Sequence, residues 1–486
     1  MFSFQTFLRL SLLTFSFSNL GISAAVEHWD WPNIDVRDID FPQGFKFGAS
    51  TSAYQVEGGC TNNQWYKHEC TTRDENGDLR MPEPSGAACD QWNRYKQDVQ
   101  LIRNIHLNEY RFSIEWGNVE PEPGVFDLEV LRHYRDLCDE LIANGISPAV
   151  TILHYTIPEW FAQMGGFEKE ENISYFVRYA AELFEFLGDR VDLWFTFNSP
   201  SGYALPAYYK AMKPPYKKDM QLAIEVLKNI CEAHVQVYQQ LKSMPGGQQA
   251  QIGLMKNIYQ LDPVNLVGRV PAFMGNYLTN QCMYNFFTTG VFKVWIPFKV
   301  SVKHKNPDAP RSLDFIALNY YSHAQVKNFS ITPFENETLT ANGRYTIYAE
   351  GLYRALHEIN EQVAKPLGVP IYVTENGISP VKEEDRDLFL KRYLYALSQA
   401  IRDGIDVRGY FHWTLMDNYE WGKYDQRFGL YHVDFATQER TLKPSAAHFV
   451  DVARWFSAEQ HMYDSYLTFC KRRERFGGYL EPVFLN

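Results

Sequence analysis

Beyond Leu20 the 486-residue chain has no apolar run long enough to cross a bilayer, so no membrane span is expected in the mature protein. Positive charge is also in deficit. The 47 Lys and Arg against 58 Asp and Glu leave a net charge of -11 at pH 7, which argues against nucleic acid or another polyanion as partner. No Gly-rich phosphate turn follows an early strand, and a doubly wound nucleotide-binding sheet would want one. No internal repeat or low-complexity linker divides the chain. Cysteine is sparse and odd in number: seven residues, so at least one is unpaired or pairs outside the chain. Aromatics are plentiful instead, at 16% of residues, which suits a large aromatic core and ring stacking against sugars equally well.

The N-terminus carries the one long apolar stretch. Arg9 precedes Leu10 to Leu20, and small residues follow at Gly21-Ile22-Ser23-Ala24-Ala25. A basic start, a short apolar centre and small residues at the end predict a secretory signal peptide over 1–25, cleaved near Ala24 or Ala25. A single domain over 26–486, secreted or in the secretory pathway, is the expectation that follows. Secretion gives weight to Cys60, Cys70 and Cys89, which share one polar loop and point to a disulfide among them. It also gives weight to Asn172, Asn328 and Asn336, each of which starts an Asn-x-Ser/Thr sequon in a polar context.

From Phe45 onward short apolar runs alternate with amphipathic stretches. The strand candidates are Phe45–Ala49, Tyr110–Trp116, Ser147–Leu153, Leu193–Phe197, Gln251–Lys256, Asp314–Asn319, Pro370–Val373 and Val407–Phe411. Helices are predicted over Asp90–Ile105, Leu128–Asn144 and Tyr175–Leu187. Eight strands with intervening helices predict an α/β fold, a single (β/α)8 barrel of the TIM type. Two segments break the rhythm, the turn-rich Gly58–Ala88 and the aromatic-rich Val264–Pro310. Both are expected on the strand-exit side, walling a pocket.

Barrels of this kind do their chemistry at the C-terminal ends of the strands. The run Pro370-Ile371-Tyr372-Val373 leads into Thr374-Glu375-Asn376-Gly377, so Glu375 stands where a buried strand meets a turn. A lone Glu in such a place is more often a helix cap. The other strand exits change that weighting, for they supply Gln55, Arg111, His154, Asn198, Asn319 with Tyr321, and Trp413 with Glu420 and Trp421. They offer no thiol and no cluster of metal ligands, and the pattern asks for no cofactor. Hydrogen-bonding groups in a ring over an aromatic floor suit a pyranose. A carboxylate beside an Arg and a Tyr hydroxyl stays ionised, as a nucleophile must.

Long stretches of the chain resemble the β-glycosidases of glycoside hydrolase family 1, from about Phe41 to Ile405 and on to Val450. The matching runs are Phe47 to Gly58, Tyr110 to Trp116, Asp314 to Tyr321, Thr374 to Gly377, Gly409 to Trp413 and Asp417 to Trp421. The resemblance implies a small β-glycoside as substrate and Glu375 as the nucleophile of a retaining mechanism. It implies Arg111 and Tyr321 as the residues that hold Glu375, with Asn319 in support. Gln55, His154, Glu420 and Trp421 would bind the glycone, Trp413 would be its stacking platform, and Asn198 would contact the 2-hydroxyl.

One position departs from the family. Where the family reads Asn-Glu-Pro and the Glu is the general acid/base, this chain reads Asn198-Ser199-Pro200. A Ser hydroxyl neither protonates a departing oxygen well nor deprotonates water, and such help is worth ~10²–10⁴-fold. Plant myrosinases of this family also lack the Glu and cleave glycosides whose aglycone leaves unassisted. The Klotho proteins have lost catalytic carboxylates and act as binding partners. Three readings therefore stand: a glycosidase or transglycosidase with impaired acid/base catalysis, a pseudo-glycosidase that binds carbohydrate or protein, and an engineered Glu→Ser variant of an active enzyme.

Overall fold

The computed structural model describes residues 27–457, 466–467 and 470–471. The expected signal peptide lies outside these residues. Among them no helix is long and apolar enough to cross a membrane.

Eight parallel strands close into a barrel: β1 (Lys46–Ser50), β2 (Glu109–Ser113), β3 (Ser147–Leu153), β4 (Leu193–Asn198), β5 (Gln251–Asn257), β6 (Phe315–Asn319), β7 (Ile371–Asn376) and β8 (Val407–Trp413). Each pairs with its sequence neighbours, and β1 closes the ring against β8. Helices α1 (Gln91–Asn104), α2 (Leu128–Ala143), α3 (Ile173–Leu187), α4 (Met220–Ser243), α5 (Cys282–Thr289), α6 (Ala349–Ile359), α7 (Glu383–Arg402) and α8 (Ala447–Ser457) accompany them. The predicted (β/α)8 barrel is what forms.

Alternation of side chains explains how each strand serves two cores. Ala149, Leu193, Phe195, Met255, Phe315, Ala317, Tyr372 and Phe411 point inward and fill the barrel as a cluster of their own. Their sequence neighbours Val150, Trp194, Leu254, Ile316, Val373 and Tyr410 point outward into the helix layer. Gly48 has no side chain because a Cβ there would lie 2.5 Å from the Phe411 ring. The two-sided burial is why the strands read as continuous apolar runs.

Of the two irregular segments, the first walls the pocket. The Gly58–Ala88 loop lies across the mouth, with the Trp65 ring 4.4 Å from that of Trp421 and Gln64 Nε2 donating to Tyr155 O at 3.0 Å. Much of Val264–Pro310 lies on the outer flank. It forms helix Arg269–Asn276, α5 and a hairpin of Val291–Ile296 with Val300–Lys305. That hairpin runs along α4, where His304 and Asn306 both bond Glu232 at 2.9 Å. The alternating pattern of Val291–Lys305 buries one face on the helices and leaves Trp295 and Phe298 exposed.

Two further expectations are corrected. Cys60, Cys70 and Cys89 are all free thiols. Cys60 is buried with Tyr54 and Trp65, Cys89 packs in the main core with its thiol on Asp417 O, and Cys70 is exposed, so the loop spreads them apart. Asn172 is buried, and its Nδ2 donates to Gly166 O at 2.9 Å, which occupies the nitrogen a glycan would need. Asn328 and Asn336 are exposed.

The inner cluster is the part of the core with no room to collapse. Phe315→Ala is expected to cost about 3–5 kcal/mol, read as a fall in the denaturant midpoint with an unchanged slope.

Candidate active site

Every side chain singled out at a strand exit, Ser199 included, lies at the same mouth of the barrel, and all but Ser199 share contacts there. Arg111 is fully buried and Glu375 is 5% exposed. Arg111 Nη1 donates to Glu375 Oε1 at 2.8 Å, and the Tyr321 hydroxyl donates to Glu375 Oε2 at 2.7 Å. The guanidinium is pinned further by Thr151 Oγ1 at 2.8 Å and Thr374 O at 3.2 Å. Asn198 Oδ1 accepts from Asn319 Nδ2 at 2.8 Å and from Arg111 Nη2 at 3.4 Å. Asn319 Oδ1 accepts in turn from Thr374 Oγ1 at 2.7 Å. One network thus runs from β2 to β7 by way of β3, β4 and β6.

Two irregularities in the strands aim this network. Register shifts between Val373 and Glu375, where β7 meets β6, and brings Glu375 opposite Asn319. It shifts again between Phe195 and Asn198, where β4 meets β5. Thr196 and Phe197 therefore both face the helix layer, against His234 and Phe176, and Asn198 turns inward. Such bulges re-aim side chains at functional sites. Gly377 lets the chain leave β7 closely over β8, since a Cβ there would lie 1.8 Å from Trp413 O.

His154 follows β3 and lies under the network. Its Nδ1 is 3.3 Å from Arg111 Nη2 and its Nε2 is 2.9 Å from Asn198 Nδ2. Burial, with Arg111 and Lys213 adding positive charge, holds its pKa well below the usual range, so the ring is neutral. Trp413 and Trp421 lie nearly parallel to it, at centroid distances of 5.6 and 6.0 Å.

A second cluster faces the first. Gln55 Nε2 donates to Glu420 Oε2 at 2.8 Å and to Asn418 Oδ1 at 3.1 Å, with Gln55 Oε1 taking a bond from Ser52 at 2.7 Å. Burial pushes the Glu420 pKa up to about 8, opposed by the bond from Gln55 and reinforced by Glu375. Ser199 begins the short helix Pro200–Ala204 in a left-handed conformation, φ 50°, with its buried hydroxyl beside the Tyr155 phenol. Tyr155 and Trp421 at this mouth are left-handed too, at φ 71° and 53°. No Asp or Glu replaces the hydroxyl nearby: Glu159 is bonded to Lys67 and Gln163, and Asp192 is exposed at the start of β4.

Reading by residue type missed Lys213. It comes from the irregular segment after β4, and its Nζ lies 3.8 Å above the Tyr155 ring and 5.9 Å from that of Trp421. Its only mark in the sequence is a Lys set between aromatics and Pro214-Pro215.

The closed eight-stranded α/β barrel gathers at its strand exits a carboxylate, its cationic and phenolic holders, and a ring of amides. A sequence model of glycosyl hydrolase family 1 matches residues 37–456, and the chain belongs to that family. Beta-glucosidase A of Thermotoga maritima is 30% identical over 449 residues, covering 85% of this chain and 98% of its own. A protein of Oryza sativa subsp. japonica named "Probable inactive beta-glucosidase 14" is 31% identical over 465 residues, covering 83% and 89%. The solved β-glycosidase of Pyrococcus horikoshii matches with a TM-score of 0.76 at 33% identity, covering 86% of this chain and 95% of that one.

The surroundings of His154 generate a direct check. Its ring nitrogens are expected to keep neutral-imidazole ¹⁵N shifts down to pH 5.5, where an exposed His with a pKa of about 6.5 is mostly protonated. A titration near pH 6.5 would contradict the environment described.

Proposed function

We propose that the chain is a retaining β-glycosidase-like protein in which Glu375 attacks the anomeric carbon of a β-glucoside or β-galactoside and Ser199 occupies the place of the acid/base. The observation that carries this reading is the Glu375 carboxylate, bonded on one oxygen by Arg111 and on the other by Tyr321 at the exit of β7. A carboxylate so held is kept from wandering and remains an acceptor aimed at the pocket. Asn198, Asn319, His154, Gln55 and Glu420 supply the hydrogen bonds a glycone needs, and Trp413 lies beside them as its floor. The many relatives named β-glucosidases support the substrate class.

Retaining enzymes set their two carboxyl groups about 5–5.5 Å apart. Here the second place has a hydroxyl, so ordinary O-glycosides with poor leaving groups turn over slowly. Glycosides with stable leaving anions, thioglycosides among them, still give a glycosyl-Glu375, which water or another acceptor resolves. The second reading is a pocket kept for binding alone. Ser199 and the rice relative named inactive favour it. The intact bonding around Glu375 weighs against it, because a site freed from chemistry has no need of both holders. Secretion belongs to the same proposal and rests on the leader over 1–25, with Asn328 and Asn336 as exposed glycan acceptors.

Mixing the protein with 2,4-dinitrophenyl β-glucoside is expected to give a burst of dinitrophenolate and an intact-mass adduct that peptide mapping places on Glu375. Azide should release it as glycosyl azide. Folded protein that binds glucose-like ligands by calorimetry with neither burst nor adduct would establish the binding reading. In the same assay Ser199→Glu is expected to raise turnover of poor-leaving-group glucosides by ~10²–10⁴-fold, the usual worth of general acid–base help.

A further inference from the structure

We propose that Lys213 is the proton donor and acceptor of this site, its amine reaching the glycosidic oxygen from above the Tyr155 ring beside Ser199. The inference rests on the reading of Glu375 as nucleophile and extends it to the step that reading leaves unassisted.

The placement of the amine carries the argument. Lys213 Nζ is held by the Gly202 carbonyl at 3.3 Å, in the helix turn that Ser199 begins. Gly202 packs closely against Ser199 and Tyr155. A Cβ built on it would lie 3.0 Å from the Tyr155 hydroxyl, 3.1 Å from Ser199 Cβ and 3.4 Å from Ser199 Oγ. Tyr155, Ser199 and Lys213 therefore all adjoin Gly202. Among the described residues Lys213 makes no ion pair, and the Gly202 carbonyl takes only one of its three N–H groups. Lys213 stands over the aromatic wall of the pocket within the field of Glu420 and Glu375.

The charged and titratable groups that face it are few. Glu420 and Glu375 lie across the pocket, and neutral His154 and the phenol of Tyr155 lie beneath. On the outer side Arg80 is bonded to Ala211 O and stacked on Tyr216, while Lys217 is paired with Glu168. Burial lowers the Lys213 pKa to about 8, opposed by the two carboxylates. An amine that titrates there can give and take a proton near neutrality. Burial drives the Tyr155 hydroxyl up, so the phenol is no competing acid.

The steps balance. As a Glu375 oxygen bonds to the anomeric carbon, the bond from that carbon to the aglycone oxygen breaks, and the Lys213 ammonium gives its proton to that oxygen. The neutral amine then takes a proton from the water that attacks the anomeric carbon. The carbon–Glu375 bond breaks, and the ammonium and carboxylate are restored.

The test compares 2,4-dinitrophenyl, 4-nitrophenyl and methyl β-glucosides on the full chain and on Lys213→Met and Lys213→Arg. Both variants should lose ~10²-fold in kcat/KM on methyl and 4-nitrophenyl glucosides, the lower end of what general acid–base help is worth, and little on the dinitrophenyl compound, which needs no acid. The limb in which activity falls as pH rises through about 8 should vanish from the 4-nitrophenyl profile of both variants. Equal losses on all three substrates, an unaltered limb, or full activity in Lys213→Arg would overturn the proposal, the last because a charge that does not titrate would then suffice. A limb that persists in the variants would belong to Glu420. Trapping with 2,4-dinitrophenyl 2-deoxy-2-fluoro-β-glucoside separates the two readings, since it needs Glu375 and no acid. Failure to trap in the unsubstituted chain sinks the nucleophile assignment. Trapping without the leaving-group pattern sinks Lys213 alone.

Discussion

The mouth of this barrel depends on one buried ion pair. Arg111 and Glu375 meet with their side chains 0% and 6% exposed, so both charges have given up water. Such a pair is held only when hydrogen bonds occupy what the partner leaves over. Thr151, Thr374 and Asn198 do this for the guanidinium, and Tyr321 does it for the carboxylate. Those partners come from β3, β7, β4 and the turn after β6. Removing either charge would strand the other, at a cost of about 3–5 kcal/mol. The pair fixes the relative positions of strands that are far apart in the chain.

Its field also sorts the titratable groups around it. The cation beside His154 helps keep that ring neutral, and the anion helps raise Glu420. The pocket thus holds a carboxylate gripped as an acceptor and a second carboxyl whose pKa burial pushes up to about 8. Opposite environments for neighbouring carboxyls are how one fold assigns different duties to the same side chain. Lys213 adds an amine whose burial, set against the same two carboxylates, brings it into the same range of pH.

Much of this was legible in order along the chain. Apolar runs such as Ser147–Leu153 and Val407–Phe411 became strands within two residues of their expected ends, because strands buried on both faces admit few polar residues. The helix expected over Leu128–Asn144 forms over Leu128–Ala143, capped by Asp127, whose side chain accepts from the Glu129 and Val130 amides. The hairpin of Val291–Lys305 was not legible, since its exposed aromatics disguise a one-sided strand pattern. Nor was the fate of Cys60 and Cys89, whose shared loop carries them to different cores. Asn172 kept its sequon and lost its exposure, for a motif says nothing about what folds over it.

The sequence by itself determined the barrel, the family and the residue types gathered at the strand exits, because periodicity and local motifs are properties of neighbours in the chain. It also determined that position 199 has a hydroxyl and no carboxylate. Only the tertiary structure decided where those groups aim. Strict alternation from Val373 would send Glu375 back toward the helices, and the bulge between them turns it inward to Arg111. The same holds for Asn198 after Thr196 and Phe197. Lys213 is set over Tyr155 by a segment with no periodic pattern at all. Such choices arise from closing eight strands in one register, a constraint that no short stretch of the chain contains.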